Sequence, residues 1–261
     1  MNPSTGGTVG GIHLVLLYEG TMPITFNRCT FGYRRRQPVL RDFTFEFPAG
    51  CSVLLGPNGA GKSTLLGLAA SLLYASSGSV SYDRIDPAYR RERSSYRRRV
   101  GWMPQSIRAV PGFTVREQVS YSGWLKGLSR ADAWRRSVTA LEDVNLGSVA
   151  DRRASNISGG QLRRVGLASA LIHDAEVILL DEPTAGLDPR QRETFREVIS
   201  RVSERCHVVV STHQTEDLTD LYHSVIVVDD GTVRFSGATA RFVETAGSIE
   251  DSYARFVSEE A

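Results

Sequence analysis

The chain has 261 residues, a formal net charge of +2, 41% hydrophobic residues and 23% charged ones. That length suits one domain carrying an inserted lobe, and the composition excludes collagen-like, coiled-coil and wholly disordered classes. The near-balanced charge gives no ground for non-specific nucleic-acid binding, and no apolar run approaches the roughly 18 residues of a membrane span.

Taken in chain order, residues 1–11 are rich in Gly, Ser, Thr and Pro and read as disordered. Alternating patterns predict strands over Ile24–Thr30 and Thr44–Phe47, and a short buried strand over Ser52–Leu55. A glycine-rich loop follows. Leu65, Leu66, Leu68, Ala69, Leu72 and Leu73 then form an apolar face at helical spacing across Gly61–Tyr74. Beyond a basic stretch from Arg84 to Arg99, Val100–Met103 reads as a strand stopped by Pro104. A largely helical region runs from Val115 to about His173. Buried strands return at Val177–Leu180, Val208–Val210 and Val225–Val228, with a helix over Pro189–Glu204 among them. Ser248 and Asp251 suit a capping box for a short docking helix with Ile249, Tyr253, Phe256 and Val257 on one face. Strands alternating with helices predict a parallel α/β sheet, and the central helical stretch an inserted lobe.

Of the 31 basic residues, only Lys62 and Lys126 are lysine. Arginine cannot replace a compact ammonium where geometry is tight, and Lys62 lies at such a place. Cys29, Cys51 and Cys206 lack metal-type spacing, so free thiols in a reducing compartment are expected. No basic residue precedes the first apolar stretch as a secretory signal would need, and a cytosolic protein is expected.

Gly56-Pro57-Asn58-Gly59-Ala60-Gly61-Lys62-Ser63-Thr64 fits G-x-x-x-x-G-K-[ST] between a predicted strand and a predicted helix. Backbone N–H groups of such a loop curl around phosphate oxygens at the positive end of the helix. Lys62 would reach the β- and γ-phosphates, and Ser63 would ligate Mg²⁺. The run Val177–Leu180 ends in Asp181 and Glu182, where a metal-holding aspartate belongs, although paired acids after a strand are often helix caps. Ser158-Gly159-Gly160-Gln161 opens a segment with Leu162, Val165, Ser169 and Ile172 on one face; it either presents N–H groups to an anion or is a loop before an ordinary helix. For Tyr33 the plain alternative is a buried tyrosine at a strand end.

Together, Tyr33, Gly56–Thr64, Gln105, Ile157–Gln161, Asp181-Glu182, Ala185–Asp188 and His213 resemble the ATP-binding cassette (ABC) ATPase family in order and spacing, from about Ile24 to Gly237. Ile157 departs from the family's usual Leu, and Cys51 stands where a Glu is common. The resemblance implies a P-loop NTPase parallel sheet core, an antiparallel β subdomain and an inserted α-helical subdomain over about 106–172. The cassette would span 23–237, with a C-terminal docking helix over 238–261. It also implies an ATPase with ATP and Mg²⁺ as ligands, closing each nucleotide between two chains paired head to tail. Tyr33 resembles the adenine-stacking aromatic, and Gly56–Thr64 the phosphate cradle. Ser63, Gln105 and Asp181 resemble the metal ligands. Glu182 resembles the general base, His213 the switch histidine, and Lys62 the lysine on the transferred phosphoryl group. Ser158, Gly159, Gly160 and Gln161 would bind ATP held by the partner chain, and Asp188 would cross the interface.

As a transporter subunit, the chain would dock on a separate membrane permease at the cytoplasmic face of the inner membrane, through Ser106–Thr114 and the helical lobe to about Asn156. Val110, Phe113, Val119, Trp124 and Leu125 are candidate groove residues, though most suit the lobe's own core. An exporter is expected, with a second copy or a homologous cassette as partner and no nucleic acid. The alternatives are a soluble cassette in translation or DNA repair, and a plain P-loop kinase or GTPase, which the Ser158 motif and His213 oppose. Residues 1–22 read as a leader or as a mis-assigned start, with Met22 the expected true one.

Overall fold

The computed structural model describes residues 21–34 and 37–257. Its elements are β1 (Thr21–Phe31), β2 (Leu40–Pro48), β3 (Cys51–Leu55), α1 (Lys62–Ala69), β4 (Ser77–Tyr82), α2 (Arg90–Arg99), β5 (Val100–Met103), α3 (Val115–Leu125) and α4 (Arg130–Asp143). The second half adds α5 (Gly159–Leu171), β6 (Val177–Asp181), α6 (Pro189–Ser203), β7 (His207–Thr212), β8 (Ser224–Asp229), β9 (Thr232–Ala238), α7 (Thr239–Glu244) and α8 (Ile249–Phe256).

The strands make two sheets. A three-stranded antiparallel sheet has the order β2-β1-β4, and a six-stranded sheet the order β5-β6-β7-β3-β8-β9. In the larger sheet β5, β6, β7, β3 and β8 are parallel, and β9 is antiparallel on the edge. Its central strands are buried on both faces. Val53 and Leu55 join one apolar cluster and Leu54 the other, as Ile178 and Leu180 alternate with Val177 and Leu179. Two-sided burial explains why these strands read as unbroken apolar runs rather than as alternation.

Register brings four strand ends to one edge. Met103 pairs with Leu180, Asp181 with Ser211, and Leu55 with Thr212. The residues that follow β5, β3, β6 and β7 therefore emerge together at the carboxyl edge, where ligands bind in open parallel sheets.

Several expectations change. The helix expected over Gly61–Tyr74 stops at Ala69, because Ser71 adopts a left-handed φ of 57° and the N–H groups of Leu72 and Leu73 both turn back to Gly67 O. Leu72 consequently leaves the apolar face and is 52% exposed. The strand expected over Thr44–Phe47 extends to Leu40–Pro48, and β4 and β9 are additional strands. Near the C-terminus two short helices stand where one was expected. Ser248 Oγ accepts Asp251 N–H at 3.1 Å and its hydroxyl faces Asp251 Oδ2 at 2.7 Å, so the return bond of a capping box is not made. Ile249, Tyr253, Phe256 and Val257 do pack on the main core. Val119 belongs to the lobe's core, whereas Trp124 and Leu125 are 46% and 63% exposed. The leader expected before β1 falls outside the described residues up to Gly20, and Thr21 and Met22 already lie in β1.

Candidate functional site

The loop from Gly56 to Gly61 joins β3 to α1. Gly56 packs where a Cβ would lie 2.2 Å from Val228 O, and Gly61 caps α1 with φ of 101°, so both positions require glycine. Lys62 is buried, and its Nζ donates to Gly56 O at 2.7 Å and Pro57 O at 2.9 Å. Burial lowers its pKa, and the carboxylates of Glu182 and Asp181 act in the opposite direction.

Beside it, Ser63 Oγ donates to Asp181 Oδ1 at 3.1 Å, which also accepts the Ser211 hydroxyl at 2.7 Å. Ser211 Oγ in turn accepts the Glu182 N–H at 3.0 Å. Glu182 is buried and has a left-handed φ of 45°, a conformation that costs a non-glycine residue about 1–3 kcal/mol. The strand-end bond to Ser211 helps to hold it there. Both oxygens of its carboxylate are engaged: Oε1 lies 3.1 Å from His213 Nδ1, and Oε2 accepts from Gln105 Nε2 at 3.0 Å. Gln105, Glu182 and His213 thus arrive from three different strand ends and meet at one carboxylate.

Ser211 and Arg163 are contributors that motif reading missed. Arg163, on α5, donates to Gln105 O and, at 3.1 Å, to Ala185 O. It thereby links the helix after the Ser158 motif to the loops following β5 and β6. Its only sequence signal is a basic residue one position beyond Leu162. Ser211 gave no signal beyond lying two residues before His213.

Tyr33 is 68% exposed, which excludes the core reading; its hydroxyl lies 3.3 Å from Thr64 Oγ1, and its ring meets Phe31 edge-on. Ser158 and Gly159 are exposed, and α5 starts with a true capping box: Ser158 Oγ accepts Gln161 N–H at 3.2 Å, and Gln161 Oε1 accepts Ser158 N–H at 2.9 Å. The N–H groups of Gly159 and Gly160 open the helix and have no intrahelical acceptor. Asp188 is exposed and caps α6 through Gln191 N–H at 2.8 Å. Neither Ser158 nor Asp188 shares a hydrogen bond with the glycine loop among the described residues. One chain therefore assembles the Gly56–Thr64, Gln105, Asp181, Glu182 and His213 cluster and leaves Ser158, Gly159 and Asp188 exposed, with Gly160 buried beside Gln191.

The model of the ABC transporter family matches residues 40–185, more than half of the chain. The energy-coupling factor transporter ATP-binding protein EcfA1 of Thermotoga maritima is 36% identical over 226 residues, which is 85% of each chain. The chain belongs to the ABC transporter family of ATP-binding cassettes. A second relative of this cassette is the Nod factor export ATP-binding protein I of Paraburkholderia xenovorans, 37% identical over 200 residues, or 75% of this chain and 64% of that protein. The cassette thus spans under two thirds of that relative's length. Among solved structures, a dimeric bacterial ABC transporter cassette superposes with a TM-score of 0.73 at 26% identity, covering 82% of this chain and 98% of the other.

The larger sheet, the antiparallel sheet and the helices α3–α5 are the P-loop cassette architecture that the sequence resemblance implied. Among the described residues no helix is long and apolar enough to cross a membrane.

Proposed function

We propose that this cassette is the ATP-hydrolysing subunit of a transporter, acting as a head-to-tail pair on a separate membrane permease at the cytoplasmic face of the membrane. The observation that carries this reading is the Glu182 carboxylate held between Gln105 and His213, beside the bonded pair Ser63 and Asp181. Family membership and the dimeric structural neighbour support it. The export named for the Paraburkholderia relative favours outward transport.

The loop Gly56–Thr64 cradles the phosphates with its N–H groups, and the exposed ring of Tyr33 offers a face to adenine. Lys62 exchanges its two carbonyl partners for β- and γ-phosphate oxygens. The oxygen donors Ser63, Asp181 and Gln105 suit a hard divalent cation and would hold Mg²⁺, which when bound neutralises charge on the phosphates. Glu182 takes a proton from the attacking water as its oxygen bonds to the γ-phosphorus; the β–γ bridging bond breaks, and ADP and phosphate leave. His213 orients at the γ-phosphate, and Gln105 links this chemistry to the helical lobe. The partner's Ser158, Gly159, Gly160 and Gln161 close over the same nucleotide, and Asp188 lies across the interface. Charge developing on the phosphoryl oxygens is met by Lys62 and these donors, the preorganised electrostatics that phosphoryl transfer needs.

The test is Glu182→Gln purified from the native host with Mg-ATP. A trapped dimer together with a polytopic membrane protein is expected. Ribosomes or repair proteins without any membrane partner would move the cassette to the non-transport class.

A further inference from the structure

Helix α3 carries apolar groups on two opposite faces. Val115, Val119 and Gly123 are buried on one, as the core side of an amphipathic helix should be. Glu117, Tyr121 and Trp124 fall on the other at spacings of four and three, with Phe113 just ahead of the helix, and all four line a pocket of about 490 Å³. Arg130 and Trp134, one turn apart on the neighbouring α4, line it too. Tyr121, Trp124 and Trp134 are exposed, so two of the chain's three tryptophans meet solvent at this one place. Exposed aromatic surface gathered in a concave site marks a place for a ligand.

The ring geometry says which kind. Phe113 and Tyr121 meet at 85° with centroids 5.7 Å apart, and Trp124 stacks beside Tyr121 at 5.7 Å and 29°. Perpendicular rings offer negative π-surface and positive edges from two directions, the setting in which aromatic side chains receive a quaternary ammonium. Trp134 already serves a cation: Arg116 Cζ lies 4.0 Å from its ring centroid, and Arg116 does not itself line the pocket.

Two opposite charges complete the lining, Glu117 as its one carboxylate and Arg130 as its one cation. Glu117 Oε2 accepts the Thr114 N–H at 2.7 Å, and the bonds from Thr114 hold its carboxyl below the usual carboxylate range. Both side chains are exposed, and among the described residues neither pairs with the other or with any other charged group.

We infer that this pocket binds a zwitterion of the phosphocholine type, its methylated ammonium against Phe113, Tyr121 and Trp124 with Glu117 beside it, and its phosphate on Arg130. A quaternary ammonium has no N–H to satisfy, and its charge is spread over the methyl groups that touch the rings. The guanidinium fork suits the phosphate. The site shares no residue with the Glu182 cluster and does not depend on the transporter reading.

Calorimetric titration of the full chain with phosphocholine tests it. The neutral isostere, the tert-butyl ester in which carbon replaces the ammonium nitrogen, keeps the shape and the phosphate and should bind roughly tenfold or more weaker. Tyr121→Leu removes one wall of the box and should weaken phosphocholine binding to a similar extent, whereas Tyr121→Phe should retain it. Glu117→Gln keeps the capping box and should weaken binding several fold. Arg130→Gln should weaken phosphocholine and leave choline unchanged. All these variants should keep the parental melting temperature and basal ATP hydrolysis. Equal affinity for phosphocholine and its isostere, no saturable phosphocholine binding, or parental binding by Tyr121→Leu overturns the proposal.

Sedimentation with vesicles of phosphatidylcholine or of phosphatidylglycerol separates the sources of such a ligand. Retention on phosphatidylcholine alone, released by free phosphocholine and lost in Tyr121→Leu, supports the site and assigns it a lipid headgroup. Phosphocholine binding without vesicle retention supports the site and assigns it a soluble ligand. Retention on phosphatidylglycerol in place of phosphatidylcholine would make the aromatic face a general membrane contact and overturn the phosphocholine assignment.

Discussion

The sheet edge and the two helix starts at Ser158 and Asp188 treat their polar residues differently. At the edge, Glu182 is bonded to residues 77 and 31 positions away, and Asp181 to residues 118 and 30 positions away. At the entrance to the lobe's α5, and at α6, the side chains of Ser158 and Asp188 bond only three residues ahead. The first region is a tertiary assembly that exists only when the sheet is folded. The second is local capping at helix starts where Ser158, Gly159 and Asp188 stay exposed. Under the proposed function the contrast has a meaning: one half of the site is completed within the chain and the other waits for a second chain.

That contrast can be broken at either half. The largest effect belongs to the edge: Lys62→Ala should abolish ATP hydrolysis. Glu182→Gln should slow phosphate release by about 10²–10⁴-fold, the worth of a general base, while ATP affinity measured by calorimetry stays within a few fold. A parental rate for Glu182→Gln would remove it from the role of base.

Gly159→Glu addresses the outward half. Nothing lies within 4 Å of a Cβ at Gly159, and an acid at a helix N-terminus is tolerated, so the melting temperature should not fall. ATP-driven dimerisation, followed by light scattering, should be lost through repulsion of the partner's phosphate. Dimers at parental ATP concentrations would show that this motif faces no nucleotide.

Arg163→Met tests the tie between the halves. Losing the bonds to Gln105 O and Ala185 O should lower turnover roughly tenfold, as about 1.4 kcal/mol, with little change in ATP affinity. A change in affinity alone would make Arg163 a support for the loop rather than a link.

An effect on stability and not on turnover concerns the lobe's footing at His173, just beyond α5, whose pKa is pushed down to about 3 by burial and by the Lys126 charge. The unfolded chain binds a proton near pH 6.5 and the folded one does not until about 3, so this residue removes stability as pH falls between those values. The slope is at most about 1.4 kcal/mol per pH unit. His173→Gln should flatten that limb in melting temperature against pH, and an unchanged limb would assign acid sensitivity elsewhere.

Much of the sheet edge was legible because each strand that builds it is an apolar run ending in a polar signature: Leu55 before Gly56, Leu180 before Asp181, Met103 before Pro104-Gln105. Strands β4 and β9 were not, since Ser77–Tyr82 and Thr232–Ala238 are half-exposed, rich in Ser and Gly and without an apolar run. Motif spacing identified Gln105, Glu182 and His213 as separate residues. It could not show that one carboxylate holds the other two, which follows from the register of β5, β6 and β7. Ser211 and Arg163 escaped for the same reason: their partners lie 22 to 58 residues away.

The scarcity of lysine has a practical consequence. Its two side-chain amines sit in two different places, Lys62 at the start of α1 and Lys126 at the end of α3, each held on main-chain carbonyls. Both have lowered pKa values, which favours the neutral, acylating-competent form. Beside the chain's α-amine, amine-directed labelling therefore reports on two side-chain addresses, and under the proposed function mass spectrometry of the two peptides that carry them would read nucleotide occupancy at Lys62 apart from the surroundings of Lys126 in one sample.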